Sequence, residues 1–153
     1  MNASRTILLV EDDDDDVFLF KRALKAAQVS NPVNVVTDGR AAIEYLSSAA
    51  QGIDPEKYPL PLITFLDLKM PNVDGFEVLN WIRTQPSLSS TVVVVLTGSN
   101  QPRDHQRAYA LGARSYLVKP AKPEEIRQFI ESMGSRWGQD NGMPVTCGNK
   151  KTA

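Results

Sequence analysis

Five short apolar runs alternate along the chain with stretches in which apolar residues recur at helical spacing. The runs cover about residues 6–10, 33–36, 62–66, 92–96 and 115–118. They are apolar almost throughout rather than at every second position, which is typical of parallel strands covered on both faces. Because strands and helices alternate, the pattern predicts one parallel sheet built from right-handed βαβ units.

Between the runs, apolar spacing and turn residues predict five helices. They begin in the acidic stretch before Val17, near Arg40, near Phe76, near Arg103 and at Pro123. The second is expected over residues 40–48, and the fourth over residues 103–111, where Gly112 suits the left-handed conformation that ends many helices. Residues 51–61 form a loop with three prolines. His105, the only histidine, falls on the fourth helix, which we predict to be exposed, so we assign it no relay role.

The carboxyl ends of four predicted strands carry side chains that can do chemistry. Glu11 and Asp12 follow the first strand, Asp67 the third and Lys119 the fifth, while Thr97 ends the fourth. In an open α/β sheet, ligands and reactive groups lie just beyond the carboxyl ends of the strands. Any one of these residues alone is more often a cap, a turn residue or a solvated side chain. As a set, three acids, a hydroxyl and an ammonium at one edge point to a functional site.

Three carboxylates within a few ångströms repel one another, by about 4 kcal/mol per pair at about 4 Å and an effective dielectric constant near 20. A divalent cation relieves that repulsion, and all-oxygen ligation suits Mg²⁺. Such a site is equipped for phosphoryl transfer, with Asp67 as nucleophile, Thr97 donating to a phosphoryl oxygen and Lys119 offsetting its charge. Pro120 favours an extended backbone at Lys119, and the bond between them is a candidate for the cis form.

The run of six acids from Glu11 to Asp16 divides into two parts. Asp14, Asp15 and Asp16 are explained by a helix start, where acids cap free N–H groups and meet the positive end of the helix dipole. Asp12 and Glu11 precede the helix and lie at the strand end. A capping role therefore does not account for those two.

Composition indicates one ordinary domain. The 153 residues are 42% hydrophobic and 23% charged, and the net charge of −1 gives no general attraction to nucleic acid or to anionic membranes. Cys147, the single cysteine, cannot form an internal disulfide and fits a reducing compartment. No apolar stretch approaches the roughly 20 residues of a membrane span, and the N-terminus lacks the apolar core of a signal peptide. We expect a cytoplasmic protein with a loose polar tail at residues 138–153.

Together these motifs resemble the receiver domain of bacterial two-component response regulators, over about residues 5–133. Glu11 and Asp12 resemble the acidic pair of that family, Asp67 its phospho-accepting aspartate, Thr97 its switch hydroxyl, and Lys119 with the following proline its Lys-Pro pair. The resemblance implies a flavodoxin-like, doubly wound (βα)5 fold, in which a five-stranded parallel sheet carries helices on both faces. It places the receiver domain at residues 5–137.

The resemblance also implies a metal site and a switch. Asp12, Asp67 and the backbone carbonyl of Lys69 would bind Mg²⁺ directly, with Glu11 acting through water. Lys69 stands where Asn or Met is common in receivers, which bears on the lifetime of the phosphoryl group. Tyr116 matches the switch aromatic, which is expected to rotate inward when the switch hydroxyl moves toward the phosphoryl group. Without the family, Tyr116 reads equally well as a half-exposed strand aromatic.

The implied function is that of a stand-alone receiver, a phosphorylation switch rather than an enzyme. It would take a phosphoryl group from a sensor histidine kinase onto Asp67 and signal to an unknown downstream protein through a changed surface. The resemblance allows either a monomer or a homodimer. Neither nucleic acid nor membrane is expected as a partner. The proline-rich insertion before the third strand and residues 129–144, with Trp137, resemble single-domain regulators that pair with bacterial phytochrome histidine kinases.

Two other functions fit parts of the pattern. A phosphatase with an aspartyl nucleophile would use Asp12, Asp14 and Asp16, which alternate after the first strand. That interpretation leaves Asp67 and Lys119 without matched roles. A flavodoxin-like nucleotide or flavin binder would need a Gly/Ser/Thr loop after the first strand to hold phosphate, and the acids there would repel it.

Overall fold

The structure, a computed structural model, describes residues 5–133. Its strands are β1 (Ile7–Val10), β2 (Val33–Val36), β3 (Ile63–Leu66), β4 (Val92–Thr97) and β5 (Ser115–Val118). They form one sheet in the order β2-β1-β3-β4-β5, and every neighbouring pair is parallel. The predicted doubly wound α/β fold is confirmed. The proposed boundary after residue 137, Trp137 and Cys147 lie outside the described residues.

Five α-helices follow the strands in turn. They are α1 (Asp14–Ala26), α2 (Gly39–Gln51), α3 (Gly75–Arg83), α4 (Pro102–Ala110) and α5 (Pro123–Met133), with a short 3-10 helix at Pro86–Leu88. The predicted end of α2 near Ser48 was wrong, because the helix continues to Gln51, and Gly52 then caps it in the left-handed conformation with φ of 73°. Gly112 adopts a φ of 106°, as its predicted role requires, and the Lys119–Pro120 bond is cis.

Alternate residues of each strand pack on opposite faces of the sheet, so the core has two layers. Leu8 and Val10 belong to the layer covered by α2, α3 and α4, whereas Ile7 and Leu9 belong to the layer covered by α1 and α5. All four are at most 1% exposed, as strands covered on both faces require. Among residues 5–133, no helix has the length and apolar character needed to cross a bilayer.

The loop between β3 and α3 is held tightly against the end of β3. The N–H of Gly75 donates to the carbonyl of Leu68 at 3.0 Å, and a Cβ at Gly75 would collide with the carbonyl oxygen of Asp67. Asp74 and Glu77 then exchange hydrogen bonds between side chain and backbone in a capping box at the start of α3. The loop therefore fixes the backbone that carries Asp67, and glycine is required for that close approach.

Candidate functional site

The parallel register brings the strand ends together at one edge of the sheet. Val10 lies opposite Leu66, so the residues that follow them are neighbours. The N–H of Asp67 donates to the carbonyl of Val10 at 3.1 Å, and the N–H of Lys119 donates to the carbonyl of Thr97 at 2.8 Å. The backbone ladder thus continues one residue beyond the strands and fixes where these side chains start.

Glu11, Asp12 and Asp67 form an acidic cluster at this edge. Each offers one carboxylate oxygen, and these oxygens lie within 4.8 Å of one another. Glu11 is 1% and Asp67 4% exposed, whereas Asp12 is exposed to solvent. An open cavity of about 620 Å³ reaches all three. Oxygen donors that are buried on one side and open to water on the other fit a hard cation of the Mg²⁺ type, which keeps part of its water shell.

Lys119 lies among the acids. Its Nζ is 2.6 Å from Glu11 Oε1, 2.8 Å from Asp16 Oδ2 and 3.1 Å from Asp67 Oδ2. Although burial alone would lower the pKa of Lys119, its hydrogen bonds to Asp16 and Glu11 and the charge of Asp67 raise it. The ammonium therefore stays charged and offsets part of the carboxylate repulsion when no cation is bound.

Glu11 is the most strongly perturbed acid of the cluster. Burial raises the pKa of Glu11 from 4.5 to about 7, the charge of Asp67 adds to this effect, and the hydrogen bond to Lys119 opposes it. The same carboxylate accepts a hydrogen bond from the N–H of Asp13 at 3.1 Å. Because the charged form of Glu11 is unfavourable without further positive charge, the site favours binding of a cation.

The roles of the acids from Glu11 to Asp16 differ in part from those predicted from the sequence. Asp13 is the N-cap of α1, and its Oδ1 accepts from the N–H groups of Asp15 and Asp16. Asp14 and Asp15 lie in the first turn, as predicted. Asp16 also lies there, but its side chain binds Lys119 as well. This contact was missed because the helix start already accounted for Asp16.

Thr97 and Tyr116 are both buried beside the site. Thr97, the last residue of β4, is 0% exposed, and its Oγ1 lies 3.5 Å from the N–H of Ser99. The hydroxyl of Tyr116 donates to the carbonyl of Ser99 at 3.0 Å. Burial raises the pKa of Tyr116, so its hydroxyl keeps the proton that it donates. The half-exposed alternative for Tyr116 is wrong, because the ring lies inward.

Lys69 stands at the mouth of the cavity. Its N–H donates to Asp67 Oδ1 at 3.3 Å, and its side chain is 67% exposed. The ammonium lies 4.0 Å from Asp104 Oδ2, at the start of α4. Asp104 in turn accepts a hydrogen bond from the hydroxyl of Ser99 at 2.5 Å. Ser99 and Asp104 were not identified from the sequence, because contacts between loop and helix leave no periodic signal.

The fourth helix is largely exposed, as predicted, but His105 is one of its less exposed residues. Its side chain is half-buried, and its ring stacks on that of Tyr116 with centroids 3.7 Å apart and planes at 27°. The stacking contact was missed because Ala108 is the only fully buried residue of α4, so the apolar stripe that marks a buried face is missing.

The cavity's lining does not suit the two alternative functions. It carries five carboxylates against two ammonium groups, namely Glu11, Asp12, Asp13, Asp16 and Asp67 against Lys69 and Lys119. Without a cation, that balance would repel the phosphate of a nucleotide or flavin. For the phosphatase alternative, Asp14 is exposed in the first turn of α1 and does not line the cavity with Asp12 and Asp16.

The chain is similar to known proteins along most of its length. The response regulator receiver domain family matches residues 7–131. Response regulator Rcp1 of Synechocystis sp. (strain ATCC 27184 / PCC 6803 / Kazusa) is 34% identical over 144 residues, which are 94% of this chain and 96% of Rcp1. A protein of Methanothrix harundinacea (strain 6Ac), described as the probable methanogenesis regulatory protein FilR2, is 37% identical over 131 residues, 86% of this chain and 82% of that protein.

Two solved structures extend this likeness to the fold, and one of them is a metal-bound form. The Mn²⁺-bound form of Rcp1 has 33% identity and a TM-score of 0.67, covering 87% of this chain and 94% of that one. The phosphorylated cyanobacterial phytochrome response regulator RcpA has 32% identity and a TM-score of 0.69, covering 88% of this chain and 94% of that one. The acidic cluster found here is of the kind that binds a divalent cation in receivers. This chain belongs to the response regulator receiver family, whose general function is to be phosphorylated on an aspartate by a kinase.

Proposed function

We propose that Asp67 is the aspartate that accepts the phosphoryl group. The supporting observation is its position: Asp67 is the buried strand-end carboxylate that belongs to the acidic cluster and also binds Lys119. Both of its oxygens are held, Oδ2 by Lys119 at 3.1 Å and Oδ1 by the N–H of Lys69 at 3.3 Å. A carboxylate fixed through both oxygens reacts without first having to be ordered.

The reaction is transfer from a phosphohistidine to a carboxylate. An oxygen of Asp67 forms a bond to phosphorus while the phosphorus–nitrogen bond breaks, and the histidine nitrogen leaves with the electron pair. Lys119 offsets negative charge on the phosphoryl oxygens, and the Thr97 hydroxyl donates to one of them. The product is an acyl phosphate on Asp67. Because the protein modifies itself and turns over no separate substrate, it is a signalling domain rather than an enzyme.

The cation of the acidic cluster is Mg²⁺ in this proposal. Asp12, Asp67 and the backbone carbonyl of Lys69 would hold it directly, and Glu11 would act through water. The fit rests on three clustered carboxylate oxygens and on an open side that would leave room for water and phosphate oxygens. When bound, Mg²⁺ supplies positive charge that stabilises the transferring phosphoryl group.

The phosphoryl donor in this proposal is a sensor histidine kinase of the phytochrome class. Support comes from the similarity to RcpA, a phytochrome response regulator, over 94% of that chain. The output is a surface change read by a downstream protein or by a second copy of this chain, in the cytoplasm. The net charge of −1 gives no reason to expect nucleic acid or membrane as a partner.

Phosphotransfer from purified, autophosphorylated histidine kinases tests this proposal. A panel of phytochrome and unrelated kinases carrying radiolabelled phosphate is mixed with the wild type or with Asp67→Asn in Mg²⁺. We expect label to pass to the wild type only, and faster from phytochrome kinases. Label on Asp67→Asn would contradict the assignment of the acceptor, and equal rates from all kinases would contradict the choice of partner.

A further inference from the structure

The imidazole of His105 and the phenol of Tyr116 form a stacked pair between α4 and β5. Their centroids are 3.7 Å apart with planes at 27°, and Tyr116 is 8% exposed. The Nε2 of His105 is buried and has no hydrogen-bond partner within residues 5–133. Within residues 5–133, the structure thus gives this imidazole a stacking contact with Tyr116 but no hydrogen bond at Nε2.

The residue before His105, Asp104, is connected to the hydroxyl of Tyr116 through Ser99. Asp104 accepts a hydrogen bond from the hydroxyl of Ser99 at 2.5 Å, and the carbonyl of Ser99 accepts the hydrogen bond from the Tyr116 hydroxyl at 3.0 Å. Two consecutive residues of α4 thus fix the ring face of Tyr116 and the position of its acceptor.

Ser99 also connects this arrangement to the phosphorylation site. Its N–H lies 3.5 Å from Oγ1 of Thr97, the hydroxyl proposed to bind the phosphoryl group. A movement of Thr97 toward a phosphoryl group therefore acts on the same residue that holds the Tyr116 hydroxyl. In this structure Tyr116 lies inward, and its hydrogen bond to the carbonyl of Ser99 helps to hold Ser99 beside Thr97.

We propose that His105 is a positioning residue that holds Tyr116 inward before phosphorylation and thereby raises the affinity of the Asp67 site for a phosphoryl group. This inference rests on the proposed function of Asp67. A group that favours the inward state must, by thermodynamic linkage, strengthen binding of any ligand that favours the same state. Loss of the stacked pair should weaken binding of a phosphoryl group at the Asp67 site by about twofold to tenfold.

The first test examines Tyr116 without any phosphoryl group. The protein is labelled with 3-fluorotyrosine, and the fluorine resonance of Tyr116 is compared in wild type, His105→Ala and His105→Phe. His105→Phe keeps a ring for stacking and loses no hydrogen bond at Nε2. We expect the resonance to move toward the position of a solvent-exposed tyrosine in His105→Ala and to stay near the wild-type position in His105→Phe. An unchanged resonance in His105→Ala overturns the inference.

The second test measures affinity for beryllofluoride in Mg²⁺, a non-reactive stand-in for the phosphoryl group, by NMR titration. We expect binding about twofold to tenfold weaker in His105→Ala and near wild type in His105→Phe. Tyr109→Ala, at an exposed position of the same helix, should bind like the wild type.

In a Tyr116→Ala background, His105→Ala should cause no further loss of beryllofluoride affinity. An equal loss of affinity there overturns the claim that His105 acts through Tyr116. A wild type that fails to bind beryllofluoride contradicts the function proposed for Asp67, while the fluorine spectra still decide whether His105 holds Tyr116.

Discussion

Lys119 Nζ lies 2.6 Å from Glu11 Oε1, although the two residues follow strands at different places in the sheet. β5 is the edge strand, and β4 and β3 lie between it and β1. The lysine side chain therefore reaches over the end of β3 and contacts Asp67 at 3.1 Å on the way. One ammonium thus forms ion pairs with acids that follow two strands and with an acid in the first turn of α1. The charge state of Glu11 therefore depends on the whole cluster.

Folding stability should fall as pH rises through the range in which Glu11 titrates. The pKa of Glu11 is raised from 4.5 to about 7 in the folded protein, so between these values folding takes up a proton. Stability from this group is complete below about pH 4.5 and is lost as pH rises to about 7, by about 3 kcal/mol in the absence of a cation. Urea unfolding in EDTA at pH 5 to 8 measures this loss.

Glu11→Gln isolates the contribution of this carboxyl, because its amide does not titrate. The variant should gain stability relative to the wild type as pH rises, while Glu124→Gln, an exposed acid on α5, should follow the wild type at every pH. A stability difference between Glu11→Gln and wild type that is independent of pH would contradict the raised pKa.

Asp12→Ala should weaken Mg²⁺ binding by at least about tenfold, since it removes a proposed direct ligand. Without metal, the variant should fold as well as the wild type or slightly better, because it removes one of several crowded like charges. Isothermal titration with Mg²⁺ gives the affinity, and thermal unfolding in EDTA gives the stability. Asp15→Ala serves as the control, since Asp15 is an exposed acid of the same run that does not line the cavity. Equal Mg²⁺ affinity of Asp12→Ala and wild type would show that Asp12 is not a metal ligand and only precedes the helix start.

Lys69→Ala should shorten the lifetime of the phosphorylated protein. We expect the ammonium at the cavity mouth to attract the phosphoryl group and to hinder the in-line water that would hydrolyse the acyl phosphate. Because the side chain is 67% exposed and pairs with Asp104 only at 4.0 Å, we expect a modest effect, about twofold to fivefold faster loss. Loss of label is followed with time after the kinase is removed. Lys21→Ala removes an exposed lysine on α1, away from the cavity, and should not change the rate; if Lys69→Ala also leaves it unchanged, the shielding role is wrong.

The strand ends could be predicted from the sequence because each is marked by a change from apolar to polar residues. In a parallel sheet all such ends share one edge, so Asp67 and Lys119 could be brought together from their positions alone. The end of α2 could also have been found, because Ala49, Ala50 and Gln51 suit a helix and Gly52 is a typical C-cap.

The contacts of α4 could not be predicted in the same way. His105 is polar and lies in a helix whose sequence shows no apolar stripe, so its stacking on Tyr116 depends on where α4 packs. The bond between Ser99 and Asp104 likewise depends on the path of the loop that joins β4 to α4. Asp16 has two roles, and the stronger local signal of a helix start obscured its contact with Lys119.

The most direct test of the central claim asks which residue takes the phosphoryl group from a small phosphodonor. Wild type and Asp67→Asn are incubated with acetyl phosphate and Mg²⁺, and intact mass spectrometry records the mass added. Asp54→Asn is the matched control, because it makes the same chemical change at an exposed loop residue whose φ of 45° suits Asn. We predict one phosphoryl group on the wild type and on Asp54→Asn and none on Asp67→Asn. Equal phosphorylation of Asp67→Asn and wild type would contradict the account.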